Sequence, residues 1–134
     1  MRYDKIIMSK KGNKMNRQIG KVSEKVIKIL GLKYQKEEPI FIGEANIRHM
    51  KEEHPMDFEK YGADIEEIIK NPTYLARNEK KKSIEFIKEY KVDNEYVLIA
   101  VRVSSRNVHF ARTMYVMADE KVEKYFKHKY FYKF

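Results

Sequence analysis

Apolar residues recur at three- and four-residue steps in the first half of the chain and at every second position in the second half. From Asn16 onward, Ile19, Val22, Val26, Ile27, Ile29 and Leu30 keep the helical step and Gly31 supplies a stop, so the spacing predicts a short amphipathic helix. Lys33 to Glu38 is polar and reads as a connection. Pro39-Ile40-Phe41-Ile42 reads as a short edge strand, because proline has no N–H to give an inner ladder. Glu44 to Glu53 predicts a helix ending before Pro55. Asp57 to Lys70 predicts another, with Phe58, Tyr61, Ile65, Ile68 and Ile69 on one face and Asn71-Pro72 as its stop.

Beyond residue 72 the period shifts towards two. Ile84 to Tyr90, Tyr96 to Val103 and Val108 to Met117 predict strands, and Thr73 to Arg77 adds a fourth. The connections Lys91 to Asn94 and Ser104 to Asn107 are short, which makes sequence neighbours antiparallel. Asp119 is placed to cap a closing helix that runs through Lys127. This order predicts an α+β domain: N-terminal helices, a four-stranded antiparallel sheet, then a short C-terminal helix. Residues 1–15 hold no sustained period and contain Gly12-Asn13, so they read as a basic, mobile extension ahead of a single domain over 16–134.

Composition narrows the function classes. At 43% hydrophobic residues the chain of 134 can bury a core and is not a disordered polyelectrolyte. It has no cysteine, which excludes disulfides, thiolate zinc sites and cysteine nucleophiles and fits a reducing cytoplasm. The longest apolar run, Val97 to Val101, is far short of the roughly twenty residues of a membrane span, so no membrane partner is expected. The N-terminus lacks the continuous apolar core of a signal peptide. Residues 1–36 carry 11 Lys or Arg against Asp4 and Glu24, whereas the remainder balances 18 basic with 18 acidic residues. Such a basic arm raises affinity for polyanions through counterion release, and equally suits a solubilising linker.

The candidate chemistry lies in Asn46-Ile47-Arg48-His49-Met50-Lys51-Glu52-Glu53-His54-Pro55 and in the last two strands. With a loop from Ser104 to Asn107, Arg102 faces His109 and Val101 faces Phe110. One face then carries Val97, Ile99, Val101, Val103, Val108, Phe110 and Met114, with Arg112 falling awkwardly among them. The other face carries Tyr96, Arg102, His109, Ala111, Thr113 and Tyr115, the floor of a polar groove. A guanidinium at Arg102 can hold a phosphate and oppose charge building on phosphorane oxygens, and the Thr113 hydroxyl can donate to the same group. His49 has the pKa range for proton transfer at neutral pH. His54 caps a helix end or joins the site; Glu85 and Lys88 fall on opposite faces of their strand, so at most one of them joins it. A metal is not expected: His49 and His54 are five apart, which turns one about 140° from the other on a helix. The tail, Tyr125 to Phe134, interleaves rings with lysines and either packs on the sheet or stacks on unpaired bases.

These residues resemble the barnase–EndoU–colicin–RelE-like superfamily of metal-independent RNases, and within it the small nuclease domains of phages and mobile elements. The resemblance covers about residues 17–130. It rests on Ile47-x-His49-Met50 with His54-Pro55, then Ile68-Ile69-x-Asn71-Pro72, Ser83-Ile84-Glu85-Phe86, Arg102 in an apolar strand and Ala111-Arg112-Thr113-Met114-Tyr115. It implies RNA lying across an open sheet face and cleavage by 2′-hydroxyl attack, leaving a 2′,3′-cyclic phosphate without metal or cofactor. Carried over, His49 is the lead acid or base, Arg102 stabilises the phosphorane, and Thr113 and Tyr115 bind phosphate or orient the base. Arg112, His54 and Lys88 are further substrate-binding candidates. The proton acceptor stays open between Glu85 and His54. The partners implied are RNA, whether tRNA or mRNA, and an immunity or antitoxin protein, in a toxin or mobile-element effector. The alternative is a non-catalytic module that binds nucleic acid or protein for a phage or mobile element.

Overall fold

A computed structural model describes residues 6–8, 15–103 and 107–134. Its strands are β1 (Ile6–Met8), β2 (Met15–Val22), β3 (Glu38–Gly43), β4 (Tyr74–Asn78), β5 (Ser83–Tyr90), β6 (Glu95–Val103), β7 (His109–Val116) and β8 (Tyr132–Lys133). Its helices are α1 (Glu24–Leu30), α2 (Glu44–Glu53), α3 (Pro55–Tyr61), α4 (Ile65–Lys70) and α5 (Asp119–Lys127). The strands form one sheet of eight in the order β1-β2-β3-β7-β6-β5-β4-β8. All neighbours are antiparallel except β3 and β7, which run parallel. The fold is α+β, but the expected four-stranded antiparallel sheet is corrected to an eight-stranded mixed one. The expected succession of helices, then strands, also fails, because β2 precedes α1 and β3 precedes α2. The hairpin formed by β5 and β6, with β4 and β7 on its flanks, is the part that short connections reveal. The parallel pairing of β3 with β7 spans some seventy residues and leaves no local trace.

The segment from Asn16 that reads as helix is strand until Val22. A bulge between Gln18 and Gly20 inserts one residue, so Ile19 and Val22 both enter the core although they are three apart. That spacing imitates a helix. Gly20 is required here because a Cβ would lie 2.8 Å from Ile69 Cγ2 on α4. The helix proper starts after Ser23, whose hydroxyl accepts from Val26 N, and stops at Gly31, where φ is +64°. Pro39 is not on an edge: β3 lies between β2 and β7, and the contact with β7 begins one residue later, at Ile40. The helix expected over Asp57 to Lys70 breaks at a turn of 3₁₀ type, Gly62–Asp64. Tyr61 and Ile65, on either side of the break, are both buried, and Tyr90 donates to Asp64 within it. At α5 the N-cap is Ala118; Asp119 sits in the first turn, favourable for the helix dipole rather than a side-chain cap. Residues 104–106 of the expected hairpin loop lie outside the described residues, as do residues 1–5 and 9–14 of the expected extension.

The sheet separates two apolar clusters. One side packs Val26, Met50, Ile68 and Ile69 of the helices on Phe86, Ile99, Val101 and Met114. The other packs Val122 and Tyr125 of α5 on Ala76, Ile87 and Leu98, with Phe131 stacked on Tyr74 at 4.6 Å. The tail rings therefore close the sheet at Phe131, while Tyr130 and Tyr132 stay about half exposed. Among the described residues no helix is long and apolar enough to cross a membrane.

Candidate active site

A cavity of about 380 Å³ opens between α2, the outer face of β5–β7 and the start of α5. Helix α2 supplies Ala45, Asn46 and His49, one face of it by the three- and four-residue rule, while the fully buried Met50 anchors the helix in the core. The Gly43 N–H donates to Asn46 Oδ1 at 2.9 Å and fixes the first turn. On the sheet, Ser83 and Glu85 of β5 and Ala100 and Arg102 of β6 reach the cavity by simple alternation. Ser83 pairs with Arg102, and Ala76, Glu85, Ala100 and Thr113 form a row across four strands. The two alanines in that row leave the floor open.

On β7 a second bulge builds the site. Val101 pairs with Ala111 but Ala100 pairs with Thr113, so Arg112 is the inserted residue. Arg112 and Thr113 consequently line the same cavity although they are adjacent in sequence, while Ala111 and Met114 both stay in the core. The register also corrects the expected pairing. Arg102 faces Phe110, not His109, and Val103 faces His109. His109 turns away from the groove and is fully buried, with Nε2 2.7 Å from Glu38 Oε1 and its ring 5.4 Å from that of Tyr34.

The electrostatics of the cavity are one-sided. Lys81, Arg102, Arg112 and Lys121 line it, against Glu85 as its one carboxylate. Neither Arg102 nor Arg112 has an acidic or hydrogen-bonding partner among the described residues. Glu85 is 3% exposed, and its Oε1 accepts from the Tyr125 hydroxyl at 2.8 Å. Its second oxygen has no protein partner and is not sealed from solvent. Burial pushes the Tyr125 phenol well up, and its hydrogen bond to Glu85 raises it further. That proton therefore stays on Tyr125, which keeps donating it to Glu85. Lys121 donates to the Tyr115 hydroxyl at 2.6 Å and lies over the Tyr115 ring.

Of the residues singled out from sequence, His49, Glu85, Arg102, Arg112, Thr113 and Tyr115 line this one cavity. His54 does not; it joins α2 to α3 and sets its ring 5.3 Å from that of Tyr115. Lys88 points elsewhere and donates to the Asn71 carbonyl at 3.1 Å. Sequence reasoning missed Asn46, Asn78, Lys81, Ser83 and Lys121. The polar turn Asn78 to Lys82 was the available signal, a run of cations at the mouth of a hairpin; Lys121 gave none. Among the described residues no group of three or more His, Asp or Glu is arranged to hold a metal.

A family model described as phage-Barnase-EndoU-ColicinE5/D-RelE like nuclease 3 matches residues 17–124. That span takes in every residue lining the cavity. No curated protein and no solved structure shows a significant match.

Proposed function

The chain belongs to the phage-Barnase-EndoU-ColicinE5/D-RelE like nuclease 3 family, and on that premise we propose that its cavity cleaves RNA by attack of a ribose 2′-hydroxyl on the adjacent phosphate. The bond from O2′ to phosphorus forms, the bond to O5′ breaks, and the products end in a 2′,3′-cyclic phosphate and a 5′-hydroxyl. The observation that carries this reading is the pair of unpartnered guanidiniums, Arg102 and Arg112, in the same cavity as an imidazole and a lone carboxylate. Two guanidiniums with no acidic partner among the described residues suit a phosphate, and more so the extra charge of a phosphorane. His49, exposed and without a protein partner, serves as one proton carrier. Glu85, whose Oε1 accepts from the Tyr125 hydroxyl, serves as the other, with its second oxygen taking the 2′-hydroxyl proton while His49 protonates O5′. Thr113 donates to a non-bridging oxygen, and Tyr115, braced by His54 and Lys121, flanks the base. A donor set this rich in cations favours an anion over a divalent metal, so turnover in a chelator is part of the reading. The phage association in the family's description supports an effector of a phage or mobile element.

The test is incubation of a tRNA and mRNA mixture with the protein in EDTA, followed by mapping of fragment ends. Cyclic phosphate termini are expected. His49→Ala should slow cleavage by about 10²–10⁴ and Arg102→Ala by about 10²–10³, both with unchanged melting temperature. A folded wild type that leaves every RNA intact would overturn the catalytic reading. Salt-sensitive RNA binding without product would leave a binding module in its place.

A further inference from the structure

A second cavity adjoins the first and shares Asn78 and Lys121 with it. It is lined by the polar turn after β4 and by one face of α5, including Lys80, Lys121, Lys124, Tyr125 and Tyr130. Two other charges there cancel: Arg77 donates to the Leu30 carbonyl and pairs with Glu79 at 3.0 Å. Glu120 is the remaining acid, against three lysines. Lys80 and Lys124 have no partner among the described residues, and Tyr130 is 45% exposed, its ring meeting those of His128 and Tyr125. At the other end of the β5–β6 hairpin a further cavity is lined by Asp93, Glu95, Asp119 and Glu123, with Lys60 bridging the first two. The positive trough is thus one-directional, leading from Arg102 and Arg112 past Lys121 to Lys124.

We propose that this second cavity is a subsite for single-stranded RNA. It takes the nucleotide next to the one cleaved, with Lys80 and Lys124 on its phosphate and Tyr130 stacked on its base. This deepens, and rests on, the reading of the first cavity as an RNA-cleaving site. Three features favour a single strand. Ammoniums follow a flexible backbone, a half-exposed ring accepts an unpaired base, and the cavity shares Asn78 and Lys121 with the one where the phosphate is held. A paired strand would offer no free base face.

The experiment compares a dinucleotide with a single-stranded RNA of eight or more residues as substrates in chelator, for the wild type and for Lys80→Ala/Lys124→Ala. The longer substrate should have the higher kcat/KM in the wild type. In the double variant that advantage should shrink roughly ten-fold, and the salt slope of RNA binding should fall by about 0.7, the value for one phosphate contact on a single strand. Tyr130→Ala should cut the same advantage roughly ten-fold while leaving the salt slope unchanged, because stacking releases no counterion. An equal length advantage and an equal slope in all three proteins would overturn the subsite while leaving the cleavage reading intact. If the wild type cleaves neither substrate, the cleavage reading fails. The binding slopes then decide the subsite alone, a fall of the stated size in the double variant supporting it and no fall overturning it.

Discussion

Glu38 and His109 show how much one buried polar contact can hold. His109 is fully buried between β3 and β6, Glu38 accepts or shares the proton at Nε2, and Nδ1 has no partner. This is the place where the parallel pair of β3 and β7 begins, with Ile40 opposite His109 and Glu38 two residues before Ile40. Glu38→Ala would strand both ring nitrogens in an apolar site and should cost about 1–3 kcal/mol in urea unfolding. Glu38→Gln keeps an oxygen and an N–H at the same reach, so it should recover most of that loss whichever tautomer the ring holds. Equal losses in the two variants would mean that the carboxylate itself, and neither side-chain size nor a neutral hydrogen bond, matters at this position. Glu85 is a contrasting case: its partner Tyr125 leaves one oxygen for the cavity, so the residue can be both packed and chemically available.

At the scale of elements, the bulge on β7 is what turns a strand into a site. Deleting Arg112 would restore regular alternation, with Ala111, Met114 and Val116 still facing the helices and Thr113 and Tyr115 still facing outward. The deletion should therefore keep cooperative unfolding and a stability within about 1 kcal/mol of wild type. Activity should suffer more than in Arg112→Ala, by roughly 10²-fold, because Thr113 moves relative to Arg102 as well as losing its neighbour. A deletion variant no less active than Arg112→Ala would remove the bulge from the argument. The sequence already contained the sign of this feature. A strict period of two placed Arg112 on the core face beside Met114, and a charged residue there is a conflict that an inserted residue resolves. The same logic explains the misread start of the chain, where Ile19 and Val22 keep a helical spacing only because β2 is bulged. Strands β4 to β7 and helix α2 were legible because each carries its period within one short segment. The place of β3 was not, because a parallel pairing across the length of the domain depends on contacts with no local spacing. The shared site of His49 and Arg102 was an expectation of the family resemblance, not of spacing alone, whereas Lys121 could be placed only once α5 was seen to lie over the sheet.

For the molecule as a whole, a charge count along the chain conceals a separation in space. Residues beyond 36 carry equal numbers of basic and acidic groups, yet the folded chain gathers Lys81, Arg102, Arg112 and Lys121 at one end of the β5–β6 hairpin and Asp93, Glu95, Asp119 and Glu123 at the other. Near the acidic end sits a network of phenols. Tyr61 donates to Glu95 at 2.5 Å and Tyr90 to Asp64 at 2.8 Å. Burial, followed by those bonds, pushes the Tyr61 phenol to about 12 and raises Tyr90 further; Tyr125 is raised in the same way across the sheet. Each of these groups binds its proton more tightly when folded, so the stability it adds is complete below the unfolded value of about 10. That stability is lost as pH rises through the folded value, with a limiting slope of about 1.4 kcal/mol per pH unit for each tyrosine. Lys60 is raised as well, chiefly by its bond to Glu95, and its contribution has the same sign. Glu95 itself is held low by Tyr61 and Lys60, so its contribution is present above the ordinary carboxylate range and disappears as pH falls below it. Melting temperature should therefore be level through neutral pH and fall steeply above about pH 10. Tyr90→Phe and Tyr125→Phe, one on each side of the sheet, should each make that alkaline fall shallower, whatever they cost at pH 7. An alkaline slope identical in wild type and both variants would show that these phenols titrate alike in the folded and unfolded chain, and the network would then have no part in stability.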